Sequence, residues 1–256
     1  VHQAIARTTR LKTITVCDSP VTLAEQARGE HVDAVVDYLG LNHAGFVTAA
    51  RNGTYDLLSD SLERYSGPVA ADVARSLGLL PNPYLRYYYD APSVLAAQRG
   101  KRPRAEELLD LEAELLEAYA SAAESASRPL PLQKRGAAWY GKATVPVIAA
   151  LLAEGPREVI VGLPNGESVP WLPASAVIEL PTVVDQGGSG SRRAGPLPAD
   201  ARALLQAHAA FETLTVEGIL ERDESKLLRA LTANPMIRGV STARAVLDHV
   251  RTHNPA

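Results

Sequence analysis

The stretch from Leu11 to Glu30, "LKTITVCDSPVTLAEQARGE", decides the fold class. Its first seven residues are rich in β-branched positions and predict a short buried strand. Helix signals follow, with Ser19 as N-cap, Pro20 at the first helical position and Gly29 near the end. Residues 2–9 form a short helix-compatible segment ahead of the strand. Helix, strand, helix is the alternation of an α/β sheet, and the strand is expected to lie parallel to its neighbours.

Outward from this unit, "HVDAVVDYLGLNHAGFVTAARNGTYD" (His31–Asp56) supplies two apolar runs, with Asn52–Gly53 as a hairpin turn signal. From Leu57 the character becomes helical. Residues 104–126 predict one long helix, with Leu108, Leu111, Leu115 and Tyr119 on a single face and a solvated charged face opposite. Acids fill its first turn, as the helix dipole favours. Val145 to Ala153 is nearly all apolar and predicts a buried helix. "REVIVGLPNGESVPWLPASAVIELPTVV" predicts two strands around a Pro/Gly/Asn turn, and "DQGGSGSRRAGPLP" (Asp185–Pro198) a Gly/Ser loop. Two or three helices are expected from Ala199 to about His253.

The bulk numbers set bounds. A chain of 256 residues can bury a sizeable core. A net charge of −3 gives no basic footprint for nucleic acid. The single cysteine rules out an internal disulfide and fits a reducing cytoplasm. No apolar run approaches the roughly 18 residues that would span a bilayer, so no membrane partner is expected. The first residues, "VHQAIARTTRLKTITV", contain neither an apolar signal core nor an initiator methionine, and read as the interior of something longer.

Four places hold polar or reactive residues where the pattern favours apolar ones. Cys17–Asp18 ends the first strand, where open α/β sheets bind ligands. A thiolate there is a soft metal ligand, and the adjacent carboxyl a proton donor; the plain alternative is a buried thiol beside a helix-capping acid. "GLNHAGF" (Gly40–Phe46) sets His43 beside Asn42 after an apolar run, as a hydrogen-bonded core residue or a second metal ligand. Two ligands are too few for a closed structural zinc site. "NPYLRYYYD" (Asn82–Asp90) packs four tyrosines around Arg86, a cation that can lower a tyrosine pKa enough to make a base. In "KRGAAWYG" (Lys134–Gly141), Arg135 can grip a phosphate in bidentate fashion or pair with a surface acid.

Taken together, "VCDSP", "GLNHAGF", "NPYLRYYY", "KRGAAWY", "LPNGESVPWLP" and "HAAFETLTVEGILERDESKLLRALTANPM" resemble, in order and spacing, the family 4 glycoside hydrolases. These are NAD- and manganese-dependent enzymes acting mostly on 6-phospho-glycosides, and the "YLRYYY" form is closer to the 6-phospho-β-glucosidase branch. The resemblance implies that Cys17 and His43 are the ligands of Mn²⁺ or another divalent metal. It makes Asp18 the acid that protonates the leaving oxygen and Tyr84 the base that removes the C2 proton. Asn42, Arg86 and Arg135 are implied to contact the 6-phospho-sugar.

It implies a mechanism too: oxidation at C3 by NAD acidifies the C2 proton, elimination expels the aglycone, and water and hydride return. This is unlike the two-carboxylate scheme of most glycosidases, and the NAD-dependent family is a recognised exception to it. The implied fold is α/β (α+β), a lactate/malate-dehydrogenase C-terminal-like domain with a mixed sheet and packed helices. Residues 1–30 would be the remnant of a Rossmann domain and 31–256 the catalytic and substrate domain.

The Gly-rich dinucleotide turn of the family does not occur here. "GGSG" at 187–190 follows a strand but opens no helix, so the chain alone is not expected to hold NAD. One reading is therefore a portion of a longer 6-phospho-β-glucosidase, working in a homo-oligomer (dimer or tetramer). The alternative is an inactive truncated homologue or a binding module. A lactate/malate-dehydrogenase-like domain proper lacks the His–Asp relay it would need.

Overall fold

The computed structural model describes residues 1–121, 129–135, 138–152 and 155–253. The element order is α1 (His2–Thr8), α2 (Asp18–Arg28), β1 (Val35–Leu41), β2 (Ala44–Asn52), β3 (Tyr55–Asp56), α3 (Leu57–Glu63), α4 (Ala71–Leu77) and β4 (Leu80–Pro81). After a 3₁₀ turn at Pro83–Leu85 come α5 (Arg86–Tyr89), α6 (Ala91–Gln98), α7 (Arg104–Ser121), α8 (Pro131–Lys134) and α9 (Ala138–Leu151). The chain closes with β5 (Arg157–Pro164), β6 (Val177–Asp185), β7 (Gly188–Arg192), α10 (Ala199–Glu221), α11 (Glu224–Ala233) and α12 (Val240–His253).

The strands form one sheet in the order β3-β2-β1-β6-β5, with β4 added to β2 and β7 to β6. Every pairing between named strands is antiparallel. The fold is the expected sheet with packed helices, and both of its faces are covered. Along β1 the side chains alternate, as a strand requires. Leu39 and Leu41 join Phe46, Ile178, Leu180 and the α10 residues Leu204 and Leu205 in the main core. Val36 and Tyr38 point the other way, against Leu23, Ala24 and Ala27 of α2. Six of the seven β1 residues are therefore buried, which explains a strand that is apolar on both faces except at Asp37. Residues 18–28, which the sequence suggested as part of a nucleotide-domain remnant, thus share a core with residues 34–58.

Several expectations need correction. The run Leu11–Cys17 is extended but is neither a parallel nor a regular strand. Only Thr15 pairs, antiparallel to Gly162 at the outer edge of β5, through Thr15 N to Gly162 O at 3.0 Å and Gly162 N to Thr15 O at 2.8 Å. Helix α2 begins at Asp18 with Cys17 as N-cap, so Ser19 and Pro20 lie inside its first turn. Proline is tolerated there because first-turn N–H groups have no intrahelical acceptor.

The 104–126 helix is described to Ser121, and residues 122–128 lie outside the described residues. Leu111 and Leu115 are buried as expected, but Tyr119 is 49% exposed. The apolar α9 segment is not wholly buried: Val147 and Ala150 pack on β5 and β6, while Val145, Ile148 and Leu152 face out. The Gly/Ser loop contains β7, hairpinned onto β6 with Asp185 opposite Gly188. The Asn52–Gly53 turn is as expected, with Asn52 paired to Tyr55 and Gly53 at φ +60°. Among the described residues no helix is long and apolar enough to cross a membrane.

Candidate active site

The β1–β2 hairpin places the first site residues. Leu41 pairs with Ala44, which leaves Asn42 and His43 as a two-residue loop. Such loops demand positive φ, and His43 adopts φ +110°. One step back, Gly40 pairs with Gly45, and a methyl group on either would collide with the Tyr38 hydroxyl. The glycines of "GLNHAGF" thus let a fully buried tyrosine close under the hairpin whose tip carries His43.

Two further segments converge on that tip. The first is the start of α2, where Cys17 Sγ lies 3.9 Å from His43 Nε2 and 3.9 Å from Asp18 Oδ1. Asp18 is the acid of the helix's first turn, where the dipole favours negative charge. The second is the 3₁₀ turn carrying Tyr84, whose ring meets His43 edge-on at 4.6 Å between centroids. Asn82 sets that turn. It is fully buried, donates its backbone N–H to Gly45 O at 2.8 Å, and accepts from Tyr84 N–H through its side chain at 3.1 Å.

Cys17, Asp18, His43 and Tyr84 therefore meet in space although 67 positions separate the first from the last. Arg86 sits one turn on, but the hydroxyl it touches is that of Tyr87, 3.3 Å from Nη2. That contact lowers the pKa of Tyr87, helped by Gln98, so the tyrosine that Arg86 acts on is Tyr87. Asn42 lines a cleft together with Cys17. Arg135 is exposed at the end of α8, and none of its described contacts joins it to this cluster.

The donor set suits a divalent metal. Burial lowers the pKa of His43 and so favours the neutral imidazole that coordinates, with Asp18 opposing in part. Burial pushes the Cys17 thiol up to about 11, with Glu179 and Asp18 adding to it. A cation that takes this sulfur must displace its proton, so binding is coupled to pH. The 3.9 Å sulfur–nitrogen separation is less than the summed bond lengths of roughly 2.3 and 2.0–2.1 Å typical of zinc, so one ion can bridge both atoms. Among the described residues no group of three or more His, Cys, Asp or Glu forms a complete cage.

Sequence reasoning missed the acids behind this cluster. Glu179 on β6 is registered opposite Gly40 of β1 and Gly162 of β5, and is 6% exposed. Burial pushes its carboxyl up to about 7, with Glu212 adding to it and the Tyr38 hydroxyl opposing. Glu212 of α10 is raised to about 7, again by burial. Its neighbour His208, 3.8 Å away, is lowered by burial, which favours the neutral imidazole. The available signal was an acid inside the β-branched run "AVIELPTVV", a place where strands rarely carry charge.

Comparisons with known proteins identify the family. The family 4 glycosyl hydrolase C-terminal domain matches residues 38–237. The chain belongs to that family. The 6-phospho-beta-glucosidase BglT of Thermotoga maritima is 29% identical over 255 residues, covering 95% of this chain and 61% of that protein. A probable 6-phospho-beta-glucosidase of Bacillus subtilis is 26% identical and covers 98% of this chain and 61% of its own length. The Thermotoga maritima enzyme solved with manganese, NAD+ and glucose-6-phosphate superposes with a TM-score of 0.87 at 26% identity, covering 99% of this chain and 63% of that one. The chain thus spans about three-fifths of the length of these relatives.

The "GGSG" segment of this family member lies in the β6–β7 hairpin and opens no helix.

Proposed function

We propose that this chain supplies the metal- and substrate-binding half of a 6-phospho-β-glucosidase that depends on NAD and a divalent metal, Mn²⁺ foremost. The observation that carries the reading is the convergence of Cys17, Asp18, His43 and Tyr84 at the β1–β2 hairpin of a family 4 chain. When bound, NAD supplies the oxidation at C3 and the cation supplies positive charge beside the reacting carbons.

The remaining tasks fall to residues of this chain. Cys17 and His43 would hold the cation from two segments, and the packing of α2 against β1 and β2 sets those two donors relative to each other. Tyr84, as its phenolate, takes the C2 proton and becomes the phenol, and the capped turn set by Asn82 limits where its oxygen can reach. Asp18 gives its proton to the departing glycosidic oxygen. Asn42, at the hairpin tip, orients the sugar. The 6-phosphate is assigned to Arg86 and Arg135, cationic forks suited to phosphate. The β preference rests on the likeness to the two β-glucosidases.

Residues 1–30 are proposed to continue a nucleotide-binding domain, with 31–256 as the catalytic domain. A cytoplasmic location and a homo-oligomer complete the reading. The outward apolar residues of α9 support the second, as does the outer edge of β5, where a single bridge is described.

The test is hydrolysis of p-nitrophenyl β-D-glucoside 6-phosphate with Mn²⁺ and a reductant, with and without NAD+. It is run on this chain and on a version extended upstream by a nucleotide domain. Hydrolysis by the extended form that requires both NAD+ and Mn²⁺ bears the proposal out. An extended form that folds and binds both, yet leaves the substrate intact, overturns it.

A further inference from the structure

Glu179 has no role in the reaction as assigned above, and its surroundings ask for one. Its two cross-strand neighbours, Gly40 and Gly162, carry no side chains. The space over Gly162 is taken by the Thr15 hydroxyl and that over Gly40 by the Tyr38 hydroxyl, so the carboxyl stands on a glycine floor between two hydroxyls. Nevertheless Glu179 Oε2 is buried and has no hydrogen-bond partner among the described residues. A buried polar atom left unpaired costs free energy, and native proteins keep few of them.

Glu179 lines the cleft that also takes in Cys17 and Asn42, whereas fully buried Tyr38 does not line it. The walls of this cleft mix polar Thr15, Asn42 and Glu179 with apolar Val16, Val177 and Phe211. A sugar ring has the same two characters, hydroxyls at its edge and C–H groups on its faces.

We propose that Glu179 is a further substrate-contacting residue, its carboxyl meeting a hydroxyl of the sugar bound next to Cys17 and Asn42. The inference rests on the hydrolase reading above and adds a residue to it. A carboxyl that serves the ligand explains why the strand carries a buried acid between Ile178 and Leu180.

The experiment is calorimetric titration of glucose 6-phosphate into this chain with Mn²⁺ present, for the wild type, Glu179→Gln and Glu179→Leu. Mn²⁺ binding is followed separately by electron paramagnetic resonance. Glu179→Gln keeps a hydrogen-bonding group and is expected to weaken sugar-phosphate binding about threefold or less. Glu179→Leu removes it and is expected to weaken binding about tenfold or more, with Mn²⁺ affinity changed about threefold or less. Equal binding by Glu179→Leu and the wild type overturns this inference and leaves the hydrolase reading standing. Loss of Mn²⁺ along with the sugar phosphate makes Glu179 a metal ligand and also overturns it. A wild-type chain that binds Mn²⁺ but no glucose 6-phosphate counts against the hydrolase reading itself, and the inference falls with it.

Discussion

Replacing Glu179 by glutamine is expected to stabilise the protein, and only above acidic pH. In the fold the carboxyl is raised from 4.5 to about 7, mainly because burial penalises the charged form. At about 1.4 kcal/mol per pH unit the displacement is worth about 3 kcal/mol. Below pH 4.5 the group is protonated in both the folded and the unfolded chain, and it costs nothing. Between 4.5 and 7 the unfolded chain gives up its proton while the folded one keeps it, so stability falls as pH rises. Above 7 the loss is complete.

Glutamine matches the shape and cannot ionise, so Glu179→Gln removes this slope. Thermal unfolding followed by circular dichroism should give equal melting temperatures near pH 4.5. At pH 8.5 the variant should melt higher by about 6–12 °C, taking about 2–4 °C per kcal/mol for a domain of this size. Parallel curves with no pH-dependent gap, or a variant less stable at pH 8.5, would refute the reasoning. Either result would mean that the carboxyl is hydrated or paired in solution.

Other residues give sharper local tests. Gly45→Ala drives a methyl group into the Tyr38 hydroxyl and the facing Gly40 backbone, and should cost about 1–3 kcal/mol in urea unfolding. Asp56 caps α3 by accepting from Leu58 N–H at 3.0 Å and Ser59 N–H at 3.3 Å, so Asp56→Ala should cost about 1 kcal/mol by the same assay. His208 is lowered by burial, so its contribution is present above pH 6.5 and lost as pH falls below it. His208→Gln should therefore flatten the acid limb of the stability curve. In the chain extended by a nucleotide domain, Tyr84→Phe should abolish hydrolysis while leaving Mn²⁺ affinity within about twofold, because the hydroxyl is assigned to the proton and not to the metal.

Local periodicity made much of the fold legible. Helices α10 to α12, strands β5 and β6 and the Asn52–Gly53 turn declare themselves through neighbours a few residues away. What failed depended on partners far along the chain. Leu11–Cys17 has the composition of a strand, yet its one described pairing partner is the outer edge of β5, and only Thr15 bonds there. The α9 segment is apolar all round, but a single face of it finds the sheet. In β7 the glycines concealed a pairing that β6 imposes.

The site divided the same way. Cys17, Asp18, His43 and Tyr84 stood out because motif context marked them. Glu212 left no mark in the sequence and Glu179 only that of an acid inside an apolar run, because a carboxylate's burial is decided by cross-strand and cross-helix neighbours. Arg86 does lower a tyrosine pKa, as the sequence suggested, and the structure adds which one: its chain neighbour Tyr87.

The central claim is that Cys17 and His43 grip one divalent ion. Electron paramagnetic resonance of free Mn²⁺, titrated with this chain under reducing conditions, tests it most directly. The account predicts one ion per chain for the wild type, with affinity reduced more than tenfold in both Cys17→Ser and His43→Ala, and no comparable change in Arg135→Ala. Binding that survives both substitutions, or a wild-type chain that takes up no Mn²⁺, would contradict it.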